Sequence, residues 1–275
     1  MKYVSYQQGG AERVGVLEGE GVVPLTGVSS VSEGAKALAA AARDEAGAFA
    51  YADAQLLPAS PHPHRVFCVG LNYHAHIAET KRDLPTYPVL FPKFETSLIG
   101  AHDDILAPPE SEQVDYEAEL AVIIGRGGRR IAEADALSHV LGYTVANDIT
   151  MRDYQYKTHQ WMQGKAWDDS TPLGPVIVTP DEVDLAAAGI RTIVNGETVQ
   201  DSTLDRLIFS IENLIATVSE FTTLSPGDVI LTGTPGGVGF RRDPQLFLHD
   251  GDTVTVEVDG VGRIDSRVVA EAPRA

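Results

Sequence analysis

Short hydrophobic runs punctuated by Gly and Pro recur along most of this chain, and their length and spacing predict strands. Residues 88–94, 119–124, 142–146, 175–178, 191–194, 229–232 and 253–258 read this way. Helices are predicted in three places. Residues 208–220 set Ile211, Leu214, Ile215 and Val218 at helical spacing, and residues 73–79 form a shorter segment. Nearer the N-terminus, strand-like pieces at 2–6, 14–17 and 21–24 precede an alanine-rich stretch over 31–48, the third predicted helix. The prolines of Leu57-Pro58-Ala59-Ser60-Pro61-His62-Pro63-His64 then end any helix and stiffen the junction. The predicted organisation is a small N-terminal β/α module with its linker over residues 1–62. A mostly β, α+β domain follows over 63–275.

The most informative polar pattern is Val114-Asp115-Tyr116-Glu117-Ala118-Glu119, which leads straight into Leu120-Ala121-Val122-Ile123-Ile124. In one continuous strand Asp115, Glu117 and Glu119 would share a face. The apolar continuation puts Glu119 at a buried edge, where like charges repel and desolvation makes each more costly. Either that face is solvated or a cation sits among the acids. Asp148, at the end of the apolar segment 142–147, brings in a second acidic strand end and favours the cation. Without a Cys or His cluster at zinc spacing, an all-oxygen set suits magnesium, manganese or calcium.

Composition narrows the partners. The net charge of −18, from 39 acidic against 21 basic residues, argues against nucleic acid. It leaves room for a small anionic substrate, because a bound cation and local lysines reverse the field inside one cleft. The single Cys68 excludes an intramolecular disulfide, and its apolar surroundings predict a buried structural thiol. The opening residues lack a signal-peptide core and no run approaches membrane-spanning length, so the expectation is a cytoplasmic chain with no membrane partner.

Further candidates surround these acids. His76 and Glu79, three positions apart on a predicted helix, can touch, and a carboxylate beside an imidazole fixes its tautomer and raises its basicity. A surface ion pair has the same spacing. His74 would point away from that face. Lys93 and Lys165 sit among apolar or Gly neighbours, where they would either bind an anion or be solvated with stems laid along the surface. In the stretch 225–239 a strand enters a Gly-rich turn, either a plain tight turn or a carboxylate-binding turn with Thr234 as hydroxyl donor.

Taken together, Gly70-Leu71-Asn72-Tyr73-His74-Ala75-His76-Ile77-Ala78-Glu79, Asp115-Tyr116-Glu117-Ala118-Glu119 and Asn147-Asp148-Ile149-Thr150-Met151-Arg152 resemble successive motifs of the fumarylacetoacetate hydrolase family. Gly164-Lys165, Val194-Asn195-Gly196-Glu197 and Gly233-Thr234-Pro235 follow in the family's order, and the resemblance spans about residues 65–270. It implies a β-rich roll, commonly a homodimer. It also implies that Glu117, Glu119 and Asp148 hold Mg²⁺ or Mn²⁺, with Asp115 as a neighbour. His76 and Glu79 would activate water on a lid segment, and Lys165 would stabilise an enolate. Arg152, Gln155, Thr234 and Lys93 would contact the substrate. The chain departs from the family at Asp169, whose charge is expected near the site, and the segment 154–161 would line the distal pocket or pack a dimer contact.

The reaction expected from this resemblance is acylpyruvase-type hydrolysis of a C–C bond in a small 2,4-dioxo acid. Oxaloacetate decarboxylation and isomerisation of a 2-hydroxydiene dioate are alternatives on the same metal–enolate core. A noncatalytic metal- or ligand-binding protein is the alternative of another class, and it would have no need of a His–Glu pair.

Overall fold

The computed structural model describes residues 1–80 and 83–272, and it is a mixed α+β fold built around two sheets. In the larger sheet, thirteen-stranded among the described residues, Thr171–Val178, Val140–Asn147, Ala118–Ile124, Val229–Leu231, Val66–Gly70 and Val89–Lys93 lie side by side. The smaller sheet runs Ile105–Ala107, Gly262–Ala270, Thr253–Val258, Gly189–Val194 and Glu197–Thr203.

The Ala118–Ile124 strand explains why no polar alternation marks the centre of the fold. Leu120, Val122 and Ile124 join one hydrophobic cluster, with Ile190, Val256 and Ile264 of the smaller sheet and Leu214, Ile215 and Val218 of the Ile211–Phe221 helix. Ala121 and Ile123 join another, with Cys68, Phe91 and Leu231. Successive side chains enter opposite cores, so the strand reads as continuously apolar. Glu119 has the parity of Ala121 and Ile123 and pairs in register with Ala146, so it emerges on the Cys68–Phe91 side. Cys68 is itself fully buried.

Lys2–Gln8 pairs with Thr171–Val178, so the first strands extend the larger sheet. The alanine-rich stretch differs from its prediction. Only Ala35–Ala40 is α-helical, after a Val31–Glu33 turn and before an extended Ala42–Arg43 that pairs with Leu25–Thr26. Gly34 between them has φ +91°, and a Cβ there would meet the Gly125 carbonyl at 2.9 Å. Leu38 is the one residue of that helix to be buried, so a longer helix would have had little to bury. The strand Gly262–Ala270 escaped prediction although Ile264, Ser266 and Val268 alternate with exposed Arg263, Asp265 and Arg267. Among the described residues no helix is long and apolar enough to cross a membrane.

Candidate active site

The acidic segment is not one strand. Val114–Asp115 pairs with Thr150–Met151, whereas Ala118–Ile124 pairs with Val140–Asn147. Tyr116 and Glu117 turn the corner between the two ladders. There the Glu117 N–H donates to Asn147 Oδ1 (3.0 Å), and the Asp148 N–H donates to the Glu117 carbonyl (2.9 Å). The corner gathers Glu117, Glu119 and Asp148 so that one ligand oxygen from each lies within 4.8 Å of the others, all three side chains buried. Asp115, expected to share their face, is turned away by the same corner. It accepts the N–H groups of Gly239 (2.8 Å) and Phe240 (2.9 Å) and the Nε–H of Arg152 (2.8 Å).

Cations answer two of the three carboxylates. Lys165 Nζ donates to Glu117 Oε2 and Asp148 Oδ2, both at 2.7 Å, and Lys93 Nζ lies 2.9 Å from Asp148 Oδ1. Burial would raise the Glu117 carboxyl, but Lys165 and Arg152 overcome it and hold the group well below the usual carboxylate range. Glu119 accepts the Gly233 N–H at 2.7 Å and meets no cationic side chain among the described residues. Burial pushes its carboxyl far up, and the Asp148 and Glu117 charges push the same way. Three converging carboxylates, one of them uncompensated, fit a hard divalent cation with oxygen ligands.

The His74–Thr80 helix packs beside this cluster. His76 Nδ1 lies 2.6 Å from Glu79 Oε1, and Glu79 Oε2 accepts the Gly237 N–H at 2.8 Å, so the pair is pinned to the Gly-rich turn. With Nδ1 engaged, Nε2 is the nitrogen left for the cavity that His76 lines together with Glu117, Arg152, Gln155, Lys165 and Thr234. His74 is exposed.

Arg152 is anchored by protein groups and also lines the cavity. Besides Asp115, its Nη1–H donates to Gln155 Oε1 (2.9 Å), and Nη2 lies 2.7 Å from Glu117 Oε1. Gln155 therefore turns its NH₂ end away from Arg152, and that end remains for the cavity. Lys93, expected at the substrate, is placed elsewhere. Its ammonium donates to the carbonyls of Ile149 (3.1 Å) and Lys165 and lies against Asp148, and the side chain is buried behind the ligand cluster. Two of its N–H groups go to backbone carbonyls and its charge lies against Asp148, and Lys93 is not among the residues lining the cavity. Asp169 is also displaced from its expectation, lining a separate groove with Trp167 and Glu110. In the 154–161 segment, Tyr156 and Trp161 line the cavity, while Tyr154 packs edge-on against Trp167.

One residue had no warning in the sequence. Gln200, in the half-exposed strand Glu197–Thr203, is 1 % exposed, and its Nε2 donates to Thr234 Oγ1 and the Pro235 carbonyl, both at 2.9 Å.

Against known proteins, the family model described as fumarylacetoacetate (FAA) hydrolase C-terminal matches residues 65–269. Oxaloacetate tautomerase fahd2, mitochondrial, of Xenopus laevis is 48% identical over 217 residues, covering 78% of this chain and 68% of that protein. Oxaloacetate tautomerase Fahd2a, mitochondrial, of Rattus norvegicus is 43% identical over 257 residues, covering 90% and 80%. Among solved structures, fumarylacetoacetate hydrolase from Exiguobacterium antarcticum superposes with a TM-score of 0.86 at 37% identity, covering 98% of this chain and 100% of that one. The 2-hydroxyhepta-2,4-diene-1,7-dioate isomerase from Mycobacterium marinum gives 0.85 at 31%, covering 99% and 100%. Both tautomerase relatives are designated mitochondrial, which overturns the cytoplasmic expectation.

Proposed function

From the premise that the chain belongs to the fumarylacetoacetate (FAA) hydrolase family, we propose that it is a divalent-metal-dependent enzyme of small 2-oxo acids that interconverts the enol and keto forms of oxaloacetate. The observation that carries this reading is the His76–Glu79 pair beside the Glu117–Glu119–Asp148 cluster in one cavity. The relatives' names direct it to tautomerisation rather than to the hydrolysis expected from sequence. Tautomerase and isomerase both describe rearrangements that consume no water.

A Mg²⁺ or Mn²⁺ ion on the three carboxylates would supply positive charge that acidifies the carbon next to the 2-oxo group. The chain's own groups do the rest. In the keto-to-enol direction His76 Nε2 takes a proton from C3, the C2–C3 double bond forms, and the 2-oxo oxygen gains the negative charge. Glu79, at Nδ1, stabilises the imidazolium that results. Lys165 uses two of its three N–H groups on Glu117 and Asp148, and the third is left to meet the developing oxyanion. Return of the proton from His76 to that oxygen completes the enol with atoms conserved, and the reverse path restores the ketone. Gln155 and Thr234 hold the substrate's other oxygens.

The test is proton NMR of enol-enriched oxaloacetate with Mg²⁺ or Mn²⁺, with acetylpyruvate in parallel. Faster relaxation to the keto–enol equilibrium with total oxaloacetate conserved is expected, slowed about 10²–10⁴-fold in His76→Asn. If oxaloacetate relaxes at its uncatalysed rate while acetylpyruvate is split to pyruvate and acetate, the hydrolase reading replaces this one. Release of pyruvate and carbon dioxide from oxaloacetate, retained without His76, would make it a decarboxylase.

A further inference from the structure

We propose that Gln200 is a positioning residue that fixes Thr234 as a hydrogen-bond donor to a substrate oxygen. The proposal rests on reading the cavity as the 2-oxo acid site.

The amide has only one orientation open to it. Its Oε1 faces the Ala118 N–H at 2.9 Å, and a backbone N–H can only donate, so that atom must be the oxygen. Its Nε2 faces the Pro235 carbonyl at 2.9 Å, which can only accept, so that atom must be the nitrogen. The second hydrogen of the same nitrogen points at Thr234 Oγ1, 2.9 Å away, which makes the threonine oxygen an acceptor there. Thr192 Oγ1 completes the set by donating to Gln200 Oε1 at 2.6 Å. Every polar position of the amide is used, and reversing it would set donor against donor at Ala118 and acceptor against acceptor at Pro235.

Thr234 is thereby given a polarity. Its oxygen already receives a hydrogen from Gln200, so its own proton rotates away, and no protein acceptor takes it among the described residues. The side chain is 4 % exposed and lines the cavity with Glu117, His76 and Arg152. The cavity thus presents a hydroxyl donor, matched to a carboxylate or carbonyl oxygen and mismatched to an amine or amide N–H. The same amide grips Ala118, between Glu117 and Glu119, so the donor is held in register with the carboxylate corner.

The experiment compares wild type, Gln200→Met, Thr234→Val and the double variant, each checked for folding by circular dichroism. The readouts are oxalate affinity of the Mn²⁺-loaded protein and steady-state kinetics on oxaloacetate. Each single change is expected to weaken oxalate binding and raise KM about tenfold, with kcat and Mn²⁺ affinity within about threefold. The double variant should be no worse than Thr234→Val alone. Additive losses, or an effect of Gln200→Met confined to Mn²⁺ affinity, would overturn the proposal. Should Gln200→Met fail to fold, a crystal structure of the wild type with Mn²⁺ and oxalate decides. Thr234 Oγ must lie within hydrogen-bond reach of both Gln200 Nε2 and an oxalate oxygen, and a hydroxyl turned to a protein acceptor would sink the idea. If the oxalate results hold and oxaloacetate is not turned over, the reaction assignment fails and the positioning role stands.

Discussion

Asp115 and Arg152 form a buried ion pair, with Arg152 Nε 2.8 Å from Asp115 Oδ2, and the same guanidinium reaches Glu117 Oε1 at 2.7 Å. The carboxylate that left the acidic face thus acts on that face from behind, through an arginine. Asp115 also anchors the Gly-rich turn through the Gly239 and Phe240 amides. Asp115→Ala removes one of the two carboxylates facing the buried Arg152 and strands the amide donors of Tyr116, Gly239 and Phe240, and is expected to cost about 3–5 kcal/mol in urea unfolding. A loss below about 1 kcal/mol would mean that Arg152 finds other partners and that the pair does not organise the site.

Divalent metal should bind the native state alone, since the corner at Tyr116–Glu117 that gathers the three acids exists only when folded. Mn²⁺ at a hundredfold excess over its Kd is then expected to add about 2.7 kcal/mol of stability, removed by chelator. Glu119→Gln keeps the shape and loses the charge, so the Mn²⁺-induced shift in melting temperature should largely vanish. An unchanged Mn²⁺ affinity in that variant would remove Glu119 from the ligand set.

What the sequence revealed and what it hid divide along a physical line. An acidic cluster around Glu117, Glu119 and Asp148 was legible because acids at the ends of apolar strands are costly without a cation. The same reading kept Asp115 among them, and only the family resemblance set it aside. His76 with Glu79 was legible because three residues make a helical neighbour. The α+β fold was legible from short runs that end in Gly and Pro. The corner at Glu117 was not, because it depends on Ala118–Ile124 and Val114–Asp115 choosing different partner ladders. Lys93 was misplaced because its acceptors, Ile149, Asp148 and Lys165, arrive from segments far along the chain. Gln200 was invisible for the same reason, since its partners Ala118, Thr192 and Thr234 meet only when the two sheets pack.

His62 couples the first strands to the rest of the molecule and makes stability depend on pH. Its Nδ1 lies 2.6 Å from Glu95 Oε1 and its Nε2 lies 2.8 Å from Glu12 Oε1, so both nitrogens donate only when the ring is protonated. Glu95 and then Glu12 raise its pKa above the usual value of 6.5, against partial burial. A raised folded value means that the native state binds the proton more tightly. The stabilisation is complete below about pH 6.5 and is lost as pH rises through the folded value. His62→Gln is expected to flatten that part of the stability–pH curve, and NMR titration of the ring should place its midpoint above 6.5. A midpoint at or below 6.5 would show the clip to be open in solution.

Gly237 is where backbone conformation, the His–Glu pair and the smaller sheet meet. Its φ is +103°, a region that side chains with a Cβ rarely adopt, and an added Cβ would lie 2.3 Å from the Val199 carbonyl. That carbonyl belongs to the strand carrying Gln200, so the turn has no room to retreat without disturbing the Gln200–Thr234 contact. The Gly237 N–H is also the donor that holds Glu79 Oε2, which leaves Glu79 Oε1 to orient His76. Gly237→Ala is therefore expected to cost about 1–3 kcal/mol in unfolding experiments, from strain alone. It should also lower turnover more than Mn²⁺ affinity, because Gly237 holds Glu79 directly and touches the carboxylate corner through the Tyr116 hydroxyl rather than through any of the three ligand carboxylates. Full activity with undiminished stability in Gly237→Ala would show that the turn relaxes freely and that His76 does not owe its orientation to it.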